Sequence, residues 1–384
     1  MNSWYNNDRL LIEERLVHRQ LPANIDLLSD YWKEIFSKIL IQKEPAIHLL
    51  DGEDVSIDVD GAVWMANKSL HLGHHEYSES RVVRQRLNLT RPTTKEWIDH
   101  PRMSAGAFYR SIKQKCKRIE YKSLPTSSKI LYFSDNRAQS NFYHWFVDSI
   151  VRLLIAEPWV KDSFILVSIN QLKIAYVLES LEKLGFPKDR LIPLEKEVRY
   201  KVKNIQVVST SILATGACST EGVRLLQERL AIHSHPEYKI YLARKPALGR
   251  RVVNETEFLK VLKRFGIQLI YAEDLPFKGL IEILGKSKLI VGVYGAALSH
   301  IIFLPKDSHL VELAPVKFIT STPSYWNGNY HAQYSGDYFY SLSASCGINY
   351  HLVPCKQHDE NAYILNSDLF VDLDMLTKTL SSIT

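Results

Sequence analysis

The sequence predicts an α/β protein, with two Rossmann-like lobes behind a helical and short-strand N-terminal extension. Three observations carry this. From residue 129 onward, short apolar runs alternate with amphipathic stretches long enough for helices. That alternation comes in two blocks, separated by a Gly/Ala/Ser-containing stretch around Gly216 to Gly222. The chain has 384 residues, more than one hydrophobic core usually serves.

Taken in order, residues 1–45 read as helical and polar, with apolar positions at Leu10, Leu11, Leu16, Ile25, Leu28 and Trp32. Residues 46–90 alternate and carry turn signals at Asp51-Gly52 and Asp60-Gly61, which predicts short antiparallel strands. A basic, helix-breaking stretch with Pro92 and Pro101 follows, up to Lys122. The first βαβ block reads KILYF, NFYHWFVDSIVRLLIAE, FILVSI, QLKIAYVLESLEKLG and IQVVS. The second reads KIYLA, NETEFLKVLKRFG, IQLIY, FKGLIEILGK, KLIVGV, GAALSHIIFL and HLVEL. Strands alternating with helices of this length predict parallel sheets with crossover connections. The tail DLFVDLDMLTKTLSSI has helical periodicity and is expected to pack back on a lobe. The expected division is an extension at 1–125, lobes at 126–215 and 216–360, and a C-terminal helix at 361–384.

Composition narrows the function. Charged residues make up 23% and the formal net charge is +6, too small an excess to indicate nucleic acid. It suits anionic substrates or an anionic membrane surface. No apolar run reaches the length of a membrane span, and the polar start is unlike a signal peptide. The expected location is therefore the cytoplasm, including the inner face of the plasma membrane. The 4 cysteines are scattered with no Cys-x-x-Cys pair, so neither a disulfide framework nor a structural zinc is expected.

Four constellations could carry chemistry. On the helix after KILYF, which Ser140 or Asn141 can cap, His144, Asp148 and Arg152 are spaced by four and share a face. An acid beside an imidazole suits proton abstraction; a solvated His–Asp–Arg ladder is the plainer alternative. The loop after KIYLA holds Arg244, Lys245, Arg250 and Arg251, at the strand end where open α/β sheets bind ligands. Asn254 followed by Glu257 has the spacing of a capping box at the next helix. In VGVYGAALSHIIFLP, Tyr294, Gly295, Ala296 and Ala297 join a strand to a helix whose N–H groups favour an anion, without a GxGxxG or Walker pattern. Tight strand–helix packing would need the same small residues. Glu312, in HLVEL, could accept hydrogen bonds from sugar hydroxyls or form an ordinary salt bridge.

In this order, NFYHWFVDSIVRLL, YLARK…RRVVNETEF and VGVYGAALSHIIFLP…HLVEL resemble the family 61 glycosyltransferases over roughly residues 130–315. That family includes bacterial capsule-type, plant xylan-decorating and animal N-acetylglucosaminyltransferase members. The resemblance implies a GT-B fold and inverting transfer from a nucleotide-diphosphate sugar to a glycan or lipid-linked glycan, as in bacterial surface polysaccharide synthesis. It implies no obligatory metal and no cofactor beyond the donor as co-substrate. Asp148 and His144 match the family's His…Asp helix, with Asp148, supported by His144, the expected base, and Asn141 and Arg152 beside them are the expected acceptor contacts. Arg244, Lys245, Arg250, Asn254, Tyr294, Gly295, Ala296, Ala297 and Glu312 are the expected donor contacts. Where the family commonly has His before the Gly-Ala pair and Gly after it, this chain has Tyr294 and Ala297. A binding module of the same fold that has lost its chemistry is the alternative.

Overall fold

The computed structural model describes residues 5–44, 46–59, 62–65, 68–71, 120–124, 129–134, 138, 140–210, 218–231, 235–245, 249–316, 337–359 and 367–383. Most of the basic stretch that ends at Lys122, residues 91–119, lies outside the described residues. Two large sheets organise the chain, with helices packed on both.

The second sheet carries the site. Its strands run Gln268–Ile270, Tyr238–Leu242, Ser287–Val293, His309–Pro315, Asn349–Gln357 and Leu369–Phe370, parallel except for the last pair. The apolar runs IVGV and LVEL are interior strands covered on both faces, as parallel sheets require. The order reverses between Tyr238–Leu242 and Ser287–Val293, the first strand and the third in sequence. A crevice opens outside the carboxyl ends of two such strands, and open sheets bind ligands there. Strand Asn349–Gln357 and helix Tyr338–Cys346 are not among the elements the sequence predicts. Pro354 disguises the strand, and is tolerated because Leu369–Phe370 pairs only with Lys356 and Gln357 beyond it.

The first sheet departs from expectation. Strands Ile130–Tyr132, Phe164–Ser168 and Leu191–Leu194 run parallel beside Val198–Thr210. Val198–Thr210 then pairs antiparallel with Ile47–Asp58, which carries Tyr5–Ile12 and Ala62–Met65 on its other edge. The sheet is mixed rather than Rossmann-like throughout. Strands on both sides of residue 125 belong to it, so the boundary expected there does not divide the sheet.

The helical reading of residues 1–45 is corrected. Tyr5–Ile12, Arg15–His18 and Ile41–Glu44 are strands, and Asp30–Lys38 is the α-helix of this segment. Leu10 and Leu16 are 48% and 66% exposed, so their spacing does not mark a buried stripe. Pairing with Ile47–Asp58, far along the chain, decides the conformation.

Residues 19–39 cross to the second half. Ala23 donates its N–H to Tyr350 O at 2.7 Å, and the Asn24 amide bonds both backbone groups of Leu352. These contacts cover the side of the second sheet formed by Asn349–Gln357. Phe36 packs edge-to-face on Tyr340, with ring centroids 5.0 Å apart. The Arg19 side chain, 2% exposed, donates to Asp337 at 2.9 Å and lies over the Tyr340 ring. Further aromatic contacts join the halves: Phe142 stacks on His300 at 4.1 Å and Phe146 on Phe277 at 5.5 Å. Helix Leu373–Ile383 packs against helix Glu255–Arg264 and strand Asn349–Gln357. Among the described residues no helix is long and apolar enough to cross a membrane.

Candidate active site

The first half of the site sits on one turn of unusual helix. Asn141 caps it, its side-chain oxygen accepting from the His144 N–H at 3.4 Å. Residues His144–Ile150 then run as π-helix before continuing as the α-helix Val151–Val160. Such bulges recur at functional sites, because they re-aim side chains that a regular helix would fix otherwise. His144 Nδ1 and Asp148 Oδ2 are 2.6 Å apart, with the imidazole 20% and the carboxyl 7% exposed. A carboxylate only accepts, so Nδ1 carries the hydrogen and the other ring nitrogen is left to act as a base.

Arg152, the other expected acceptor contact, lies on the inner side of the same helix. It is buried, and its guanidinium donates to the carbonyls of Asp148 and Val208. It braces the turn from inside rather than facing a cleft. Asn141, as the cap, likewise works on the helix backbone.

The second half is built at the carboxyl ends of strands Tyr238–Leu242 and Ser287–Val293. Gly249 and Arg250 both have left-handed φ, 65° and 59°. For arginine this is a strained conformation, of the kind that persists where a site requires it. It turns the Arg250 guanidinium onto the Tyr294 carbonyl, at 2.7 Å. At Gly295, with φ 156° and ψ 168°, a Cβ would lie 2.5 Å from Arg244 Nη1 and 3.0 Å from Arg250 Nη1. Two guanidiniums therefore converge on a backbone that only glycine leaves open. Tight strand–helix packing is also present, but earlier in the strand: a Cβ on Gly292 would meet Leu298 at 2.4 Å.

Both arginines are half-buried. Burial lowers the Arg244 pKa; burial, and then the Arg244 charge, push Arg250 down to about 10. Buried Nε of Arg250 meets no acceptor among the described residues. Like charges held together out of water are unfavourable until an anion joins them.

Other expected donor contacts fall differently. Ala296 and Ala297 open a 3-10 helix, Ala296–Phe303, and are half-buried beside the arginines. Lys245 is exposed and ion-paired with Asp274. Asn254 forms no capping box. Its amide bonds both backbone groups of Val371, because the segment before the C-terminal helix lies along Val252 and Val253. Glu312 is 1% exposed and accepts from the Tyr350 hydroxyl at 2.7 Å. Burial, with the Asp337 charge adding, pushes its pKa up to about 8 against that hydrogen bond. It lies beneath the site rather than at its open edge.

Aromatic rings connect the halves. Tyr143 meets Phe339 at 5.9 Å between centroids, and Phe339 meets Tyr294 at 5.4 Å. Phe339 of helix Tyr338–Cys346 thus touches both Tyr143, next to the His144–Asp148 turn, and Tyr294, whose carbonyl Arg250 holds.

Residues 142–311 match the family model described as Glycosyltransferase 61, which runs from the π-helical turn through the arginine loop into the strand that carries Glu312. Over that stretch the chain is similar to glycosyltransferase family 61. A curated protein similar to this chain is the EGF domain-specific O-linked N-acetylglucosamine transferase of Drosophila melanogaster. It is 32% identical over 108 residues, 25% of this chain and 21% of the relative. The match thus spans about a fifth of that protein's length. Sequence reasoning misses Tyr143, Tyr338 and Phe339 in this candidate site. The one signal in the sequence is a tyrosine at 143 inside an otherwise Phe/Trp run. Helix Tyr338–Cys346 gives none, because its place depends on the remote Arg19.

Proposed function

We propose that the chain is an inverting, metal-independent glycosyltransferase that takes a sugar from a nucleotide-diphosphate donor to a glycan or lipid-linked glycan. One observation carries this reading: the two guanidiniums gathered over Gly295 at the reversal point of the second sheet. Guanidinium forks suit phosphate oxygens, and two of them can carry the charge growing on a diphosphate leaving group. The similarity of residues 142–311 to glycosyltransferase family 61 supports sugar transfer as the chemistry.

Inversion requires a base that takes the acceptor hydroxyl's proton as the oxygen attacks the anomeric carbon from the side opposite the diphosphate. Of the two candidates, the geometry favours His144 as the base and Asp148 as the group that orients its ring, since the imidazole is the more exposed partner. The proton passes to His144, the new glycosidic bond forms, and the bond to the diphosphate oxygen breaks. The fold supports a GT-B-like arrangement with the donor on the second sheet. On this reading the chain works on the cytoplasmic side, where nucleotide sugars are supplied.

The test is a screen of nucleoside diphosphates for thermal stabilisation, followed by donor hydrolysis and transfer with and without a chelator. A ligand that binds only the native state raises apparent stability. Stabilisation by a nucleoside diphosphate and turnover that survives EDTA are expected. Full loss of turnover with EDTA, restored by manganese or magnesium, would overturn the metal-independent mechanism. Nucleotide binding without any donor turnover would favour the non-catalytic module instead.

A further inference from the structure

Tyr143 lies between the two halves of the site, and its hydroxyl is buried with no hydrogen-bond partner among the described residues. The residue is 4% exposed. Its ring is held edge-on by His144 at 5.5 Å, Tyr338 at 5.7 Å and Phe339 at 5.9 Å. Three contacts from two elements fix the phenol in place, so the orphan hydroxyl is not a matter of a loose side chain. An unpaired buried hydroxyl costs stability, and phenylalanine would keep the same packing without that cost. Trp145 shows the ordinary alternative two residues away: its indole N–H, equally buried, donates to Ser180 at 3.0 Å. The groups in electrostatic range of the Tyr143 hydroxyl include Asp148 and Tyr294 of the site. Burial raises its pKa well above the usual tyrosine value, with Asp148, Cys218, Tyr338 and Tyr294 adding, so the hydroxyl keeps its proton and can donate it in a hydrogen bond.

We infer that Tyr143 is a further substrate-contacting residue, its hydroxyl donating a hydrogen bond to a sugar oxygen when substrate sits between the His144–Asp148 turn and the arginine loop. This rests on the glycosyltransferase reading. The edge-to-face contacts with Tyr338 and Phe339 place the hydroxyl at the seam between the halves, so substrate entry that parts these rings brings an oxygen within its reach. The contact supplies orientation next to the base, and no bond to Tyr143 itself is made or broken.

The experiment compares the unaltered chain with Tyr143→Phe in three measurements: thermal unfolding, affinity for the nucleoside diphosphate found by screening, and donor turnover with acceptor. Tyr143→Phe is expected to unfold at the same temperature or higher, to bind nucleoside diphosphate within about twofold, and to lose about three- to tenfold or more in kcat/KM, the range of one hydrogen bond. A stable variant with unaltered turnover overturns the inference. So does a variant with clearly lowered stability, because the hydroxyl then has a structural partner. Tyr143→Leu, which also removes the ring, should lose both stability and turnover. If it turns over as the unaltered chain does, the hydroxyl makes no contact with substrate and the inference fails. A wild-type chain that neither binds nucleoside diphosphates nor turns over any donor defeats the glycosyltransferase reading first, and the role of Tyr143 with it.

Discussion

Replacing Gly295 with alanine puts a methyl group where two guanidiniums now sit. The new carbon would lie 2.5 Å from Arg244 Nη1 and 3.0 Å from Arg250 Nη1, well inside contact distance. Both atoms are the far ends of flexible side chains, so the backbone can stay and the guanidiniums must leave. Two costs follow, and they are separable. Conformational strain at φ 156° falls on stability, at about 1–3 kcal/mol for a residue other than glycine. Displacement of the guanidiniums falls on ligand affinity. Losing one charge-assisted hydrogen bond to a phosphate oxygen is worth about 1.5–3 kcal/mol, which is roughly a 10- to 150-fold weaker Kd. Gly266→Ala provides the control: its φ of 68° brings comparable strain, with nothing within 4 Å of the added carbon. Isothermal titration with the best nucleoside diphosphate should show a large loss for Gly295→Ala and none for Gly266→Ala, while urea denaturation shows both destabilised. A folded Gly295→Ala variant with wild-type affinity would refute the phosphate-clamp argument.

The base assignment predicts that His144→Ala loses about 10²–10⁴ in turnover while keeping nucleotide affinity, and that Asp148→Asn loses less. A larger loss for Asp148→Asn in a single-turnover assay would reverse the two roles. Arg250→Ala should weaken nucleoside diphosphate binding by at least tenfold with its salt dependence reduced, as isothermal titration at two ionic strengths would reveal. Glu312, with its pKa raised to about 8, contributes stability that is fully present below the ordinary carboxyl pKa near 4.5 and is lost as pH rises through 8. Glu312→Gln should therefore gain on the wild type between about pH 5 and pH 8 in thermal melts, and parallel melting curves across that range would contradict the buried-acid account. Arg19→Met leaves the Asp337 carboxylate without its buried partner, so a loss of about 3–5 kcal/mol is expected in urea denaturation; a loss under about 1 kcal/mol would mean that the pair is not holding the helix.

How far the sequence discloses this structure differs by region, for physical reasons. The strands Ser287–Val293 and His309–Pro315 are plain because a parallel strand covered on both faces must be apolar almost throughout. The His144–Asp148 pairing is visible in the spacing, although the π-helical turn that delivers it has no pattern of its own. The arginine loop is legible as charge after a strand, but not the way two left-handed residues turn Arg250 inward. Asn254 and Glu257 carry a sound local signal that a remote segment overrides. Residues 5–18 mislead because their partners lie further along the chain, where a local window does not reach. Arg19 in a polar stretch is indistinguishable from a solvated arginine until Asp337, 318 residues later, is set against it.

That separation bears on how the protein is made. The segment 19–39 joins strands of the first sheet on either side of it, yet its own apolar face is completed by Tyr340 and Tyr350. On a ribosome adding about 5–20 residues per second, those rings emerge roughly 16 to 64 s after Arg19. During that interval Phe36 lacks the two rings it packs against, Tyr340 and Tyr350. Synthesis from the N-terminus therefore cannot finish one half before beginning the other. Cutting the gene near residue 215 should yield two insoluble products, and co-expression of the pieces, rather than mixing after purification, is the condition under which they would reunite.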